Sequence, residues 1–113
     1  MRTSRELLIT LVGRLPRRVL VRGGSMAPTL RDGDVVLYRP GAGVRAGEVA
    51  LVRWASRPEQ LSVKRAALAF DDGWFAVGDD PEASTDSRTL GPAEVLGPVR
   101  WRLWPRPRRL RAR

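Results

Sequence analysis

At 113 residues and 12.6 kDa the chain supports one compact domain and leaves no room for two. It contains neither Cys nor His, which excludes a disulfide framework, a thiolate nucleophile, the Ser-His-Asp triad and the usual zinc constellations together. The net charge is +9, carried almost wholly by arginine, and Lys64 is the only lysine in the chain; a buried lysine amine can lose its proton where a guanidinium cannot.

Residues 4–14 (SRELLITLVGR) read as a short amphipathic helix, with Ser4 as N-cap and Gly13 near its end. The apolar run Leu7 to Val12 is far shorter than the roughly 20 residues of a membrane-spanning helix. It also lacks the small-residue cleavage site of a signal peptide. The expected location is therefore the cytoplasm or the inner face of a membrane. From Arg18 onward the pattern turns to strands. Val19 to Val21, Asp34 to Tyr38, Glu48 to Trp54, Leu61 to Ala67, Trp74 to Val77 and Val95 to Trp104 are rich in β-branched, aromatic and aliphatic residues bounded by Gly, Pro or Asp. Short strands at this spacing predict a mainly β domain, an antiparallel barrel or sandwich-like core. The expected organisation is an N-terminal helical arm over 1–17, a catalytic domain over 18–104 and a basic, flexible tail over 105–113.

Three segments carry candidate chemistry. In Gly23-Gly24-Ser25-Met26-Ala27-Pro28-Thr29-Leu30, two glycines let the backbone approach a substrate and leave the Ser25 N–H free to face a developing oxyanion. In Leu61-Ser62-Val63-Lys64-Arg65, strand alternation puts Val63 and Arg65 on one face and Lys64 on the other. Desolvation on that face lowers a lysine pKa, and a neutral amine within reach of Ser25 can take its hydroxyl proton during attack on a carbonyl. The third segment, Gly78-Asp79-Asp80-Pro81-Glu82-Ala83-Ser84-Thr85-Asp86-Ser87-Arg88, is a polar, turn-forming loop with opposite charges two residues apart. Taken singly, each segment has a plain structural reading as a loop or a strand.

Together and in this order, the set resembles the signal peptidase I family of Ser/Lys peptidases. S-M-A-P-T-L is similar to that family's nucleophile box, G-D-V-V to the strand that follows, V-K-R to the lysine box, and G-D-D-P-E-A-S-T-D-S-R to its closing box. The resemblance covers residues 19–104. It implies Ser25 as nucleophile and Lys64 as general base, with Ser84 orienting the amine. It also implies a structural salt bridge of Asp86 with Arg88 and Arg65. The oxyanion hole would be built from the Ser25 backbone N–H beside Gly23 and Gly24, and Met26 and Pro28 are the candidate substrate contacts. Some family members carry a hydroxyl donor where this chain has Gly23, and Asp80 stands where Asn is usual. No cofactor and no metal site is implied.

The short connection between Lys64 and Gly78, with no anchor segment before the nucleophile box, is most similar to the maturation proteases of nickel-type superoxide dismutase. The expected substrate is then the dismutase precursor, whose N-terminal propeptide is removed; the nickel belongs to that substrate. A general signal peptidase acting on secretory preproteins is the first alternative. A non-enzymatic basic module binding nucleic acid or an anionic membrane is the second, although no nucleic-acid motif appears among the strands. The self-cleaving domain of SOS-type repressors shares the dyad chemistry, but it is expected to follow a DNA-binding domain. Peripheral membrane contact through the N-terminal helix and basic tail is compatible with any of the peptidase readings.

Overall fold

The computed structural model describes residues 15–113; the helix expected over 4–14 lies outside them. Seven strands form one antiparallel sheet: β1 (Arg17–Leu20), β2 (Val35–Tyr38), β3 (Val49–Arg53), β4 (Ser62–Phe70), β5 (Gly73–Val77), β6 (Glu94–Trp104) and β7 (Arg108–Arg109). Between β5 and β6 lie a 3-10 turn over Pro81–Ala83 and a single helical turn, α1 (Ser87–Leu90), capped by the Asp86 carboxylate. The strand order is β1-β2-β6-β3-β4-β5, with β7 pairing β6.

The mainly β expectation holds, and the sheet is open rather than a closed barrel. Its β5 end folds back only as far as one bridge, in which the Trp74 and Ala93 amides and carbonyls exchange hydrogen bonds of 2.8 Å. Among the described residues β1 lies at the edge of the sheet and pairs with β2 alone.

The middle of the sheet is buried on both faces because β3 is apolar without alternation and the first half of β4, Val63 to Ala66, packs beside it. On one face Val49, Leu51 and Val63 pack with Met26, Leu30, Val36 and Val99. On the other, Ala50, Val52, Ala66 and Ala76 pack with Trp54 and Ala93, and Trp54 Nε1 donates to Gly91 O at 2.8 Å. Each buried Val or Leu contributes on the order of 1.5–3 kcal/mol. A strand sandwiched in this way holds any polar side chain it carries in a dry environment, and Lys64 and Arg65 are both on β4.

The C-terminal segment differs from the flexible tail expected of it. β7 pairs with β6 through Trp101↔Arg109 and Arg102↔Arg108, Leu110 enters the core, and Arg113 N–H donates to Gly47 O at 3.0 Å. Arginine-rich sequence carries no strand signal of its own. The β6 edge supplies the backbone partners, and Leu110 supplies the one apolar anchor.

Candidate active site

The loop of Ser25 is closed at its base by Val21 N–H to Asp34 O and Gly33 N–H to Val21 O, both 2.8 Å. Gly23 takes a φ of +78°, a left-handed conformation that favours glycine, and its N–H donates to Asp32 Oδ1 at 2.7 Å. Met26 and Leu30, each 1% exposed, anchor the loop in the core. The Ser25 carbonyl accepts from Asp80 N–H at 2.9 Å, tying the Ser25 loop to the loop that follows β5. Gly78 makes that approach possible, because a Cβ there would collide with the Ser25 carbonyl and the Ser84 side chain.

Lys64 pairs with Ala50 of β3 and is 5% exposed. Its Nζ donates to Ser84 Oγ at 3.1 Å, and Ser84 donates in turn to Asp86 Oδ2 at 2.5 Å. Asp86 also accepts from Gly78 N–H at 2.9 Å, Arg88 N–H at 3.1 Å and Arg88 Nη1 at 3.1 Å. Burial pushes the Lys64 amine below the ordinary lysine value of 10.5; the Asp86 charge opposes this and the Arg88 charge adds to it. Burial raises the Asp86 pKa, but hydrogen bonds from Ser84, Gly78 and Arg88 outweigh it and hold the carboxyl below its ordinary value.

The Ser84 hydroxyl has one proton. By giving it to Asp86 it presents lone pairs to the lysine, so that an N–H of Lys64 is fixed and the amine's own lone pair can point elsewhere. Ser25 and Lys64 line one cavity of about 470 Å³, together with the edge of β1, Gly23, Gly24 and the start of β4. The two side chains make no direct hydrogen bond in this structure.

Several expected roles are redistributed. Arg65 does not reach Asp86. It pairs with Asp79, Nη2 to Oδ2 at 2.7 Å and Nε to Oδ1 at 2.8 Å, because alternation along β4 turns it to the face opposite Lys64. Among the described residues Asp86 forms an ion pair with Arg88 alone. Asp79, not singled out in the sequence, also accepts from Thr29 Oγ1 at 2.5 Å; the signal that finds it is the same alternation, which demands a second carboxylate for Arg65. Met26 is a core residue and not a substrate contact, and Pro28 is exposed but does not line the cavity. The Gly23 amide is already committed to Asp32, whereas those of Gly24 and Ser25 donate to no acceptor among the described residues. Asp80 caps the 3-10 turn, its carboxylate accepting from Glu82 N–H at 3.2 Å.

A serine hydroxyl and a desolvated lysine amine in one strand-walled cavity, in a chain without histidine, define a peptidase of the serine type as the class that fits fold and site. Residues 18–99 match the model of the Peptidase S24-like family, and the chain belongs to that family. The match covers both Ser25 and Lys64. It supports the serine-peptidase reading and names a different family from the signal peptidase I that the motifs resemble. No curated protein matches the chain.

Proposed function

We propose that the protein is a serine endopeptidase in which Ser25 is the nucleophile and Lys64 the general base. The observation that carries this is the buried Lys64, 5% exposed, whose amine donates to Ser84 Oγ at 3.1 Å on the cavity that Ser25 also lines. In the proposed reaction neutral Lys64 takes the Ser25 hydroxyl proton as the oxygen attacks the scissile carbonyl, then passes it to the leaving amine. The oxyanion that develops is met by the free Ser25 and Gly24 amides; each such donor is worth on the order of 100- to 1000-fold in rate. Water then attacks the acyl-enzyme, with the same amine acting as base. Ser84 and Asp86 orient the amine and do not touch the substrate.

The reading extends to a substrate, the precursor of a nickel-type superoxide dismutase, cut to release its N-terminal propeptide. The closing segment G-D-D-P-E-A-S-T-D-S-R-T-L-G and the short Lys64–Gly78 connection support it. The metal is cargo of that substrate. Peripheral contact with an anionic membrane surface, from the cytoplasmic side, belongs to the same reading. It is supported by the exposed Trp101 and Trp104 of β6 next to the arginines of β7; among the described residues no helix is long and apolar enough to cross a membrane.

The test is incubation of the purified protein with a nickel superoxide dismutase precursor and, separately, with a secretory preprotein, products being read by mass spectrometry. Cleavage at the propeptide junction of the first alone supports the narrower substrate. Cleavage of the second alone transfers the assignment to leader removal from secretory proteins.

A further inference from the structure

The charge of the catalytic cavity is one-sided. Its lining includes Arg22 and Arg57 as well as Lys64, and no carboxylate. Arg22 stands three residues before Ser25, next to the edge strand β1; Arg57 lies in the turn before β4, on the approach to Lys64. Elsewhere among the described residues Arg53 pairs with Glu94, Arg65 and Arg113 with Asp79, Arg88 with Asp86, Arg100 with Glu48 and Arg102 with Asp34, while the strand arginines Arg17, Arg18, Arg108 and Arg109, away from this cavity, form no ion pair there. Arg22 and Arg57 form no ion pair and donate no side-chain hydrogen bond among the described residues. Both are exposed, so their long side chains are free to reorient toward a bound chain.

From this, and resting on the peptidase reading above, we infer that Arg22 and Arg57 select peptides carrying a carboxylate side chain close to the scissile bond. A guanidinium presents a planar fork of donors that matches a carboxylate, and two of them at one mouth leave a place for a chain that brings the missing negative charge. The same pair repels a basic residue in that place, so selectivity comes from attraction and repulsion together. Lys64 adds nothing to this selection, since it works in the neutral form. Because both arginines are solvent-exposed, the discrimination is modest, about tenfold in kcat/KM between acidic and basic peptides, and it shrinks with salt.

The experiment digests a randomised decapeptide library with the full chain and reads cleavage products by mass spectrometry, at low salt and again at high salt. Wild type is compared with Ser25→Ala, with Arg22→Glu and Arg57→Glu, and with the milder Arg22→Gln and Arg57→Gln. The expected result is Ser25-dependent cleavage enriched in Asp and Glu within a few residues of the cut. That enrichment weakens at high salt and in the Gln variants, and turns toward Lys and Arg in the Glu variants. Ser25-dependent cleavage with no charge preference, or with the same preference in every variant, overturns the selectivity and leaves the peptidase reading standing. Absence of Ser25-dependent cleavage overturns both.

Discussion

Arg65 and Asp79 meet at 2.7 and 2.8 Å on the face of β4 opposite Lys64. Neighbouring residues of one strand thus serve two networks. Lys64, Ser84 and Asp86 form one on the cavity side. Arg65, Asp79 and Thr29 form the other, which ties the strand of the proposed base to the loop of the proposed nucleophile. Thr29 sits four residues after Ser25 and Asp79 one residue after Gly78, so the second network fixes the distance between the two halves of the first.

Asp79→Asn removes the charge that answers a buried guanidinium. Breaking one side of a buried ion pair costs about 3–5 kcal/mol, so equilibrium urea unfolding is expected to lose a loss of that order. Arg65→Met, which leaves the Asp79 carboxylate behind, is expected to be damaging in the same range. Unchanged midpoints for both would show that the pair does not hold the loops.

Ser84→Ala leaves the fold in place but removes the acceptor of the Lys64 N–H and the donor to Asp86. The expected effect is a fall in kcat of about 10- to 100-fold, the range of a lost orienting contact, with KM little changed. Steady-state kinetics on one peptide substrate separate the two parameters.

Activity is expected to rise with pH as Lys64 loses its proton, along a limb lying below the ordinary lysine value of 10.5 because burial disfavours the ammonium form. Arg88→Gln removes a positive neighbour and is expected to move this limb to higher pH. Asp86→Asn removes the negative neighbour and is expected to move it lower. A pH profile of kcat/KM for the three proteins reads both directions.

Asp79 and Asp86 are held below their ordinary value of 3.8, although burial pushes each the other way, by hydrogen bonds led by Arg65 for Asp79 and Ser84 for Asp86. Their folded-state pKa values lie below the unfolded ones, so the stability they contribute is present above 3.8 and is lost as pH falls through the folded values. Acid unfolding followed by circular dichroism is expected to begin in that window and to shift when Asp79 is replaced by Asn.

Leu110→Ala empties the apolar anchor of the C-terminal segment. A buried Leu→Ala change costs about 2–5 kcal/mol, and the lower end applies at this border of the core. A melting temperature equal to that of wild type would mean that the segment is not docked in solution.

Much of this architecture is legible in the residues. Six of the strands announce themselves by β-branched and aliphatic runs, and Lys64 by being the one cation able to work as a base. The resemblance puts Arg65 against Asp86, but a motif match says nothing about which face a side chain takes; strand alternation sets Arg65 opposite Lys64 and so away from Asp86. Met26 reads as a substrate contact only while its neighbour Ser25 is the sole focus, whereas an unbranched apolar side chain beside a turn is equally a core anchor. β7 has no signal of its own, since arginines pair there only because β6 offers an edge. Whether the sheet closes is a property of how far β5 bends back, which no local pattern encodes.

The central claim is that Ser25 and Lys64 together cut a peptide bond. Its most direct test is mass-spectrometric cleavage of the dismutase precursor by wild type, Ser25→Ala and Lys64→Ala, each first shown to be folded by circular dichroism. Cleavage by wild type that disappears in both variants is the predicted result. Cleavage that persists in either folded variant would contradict the dyad.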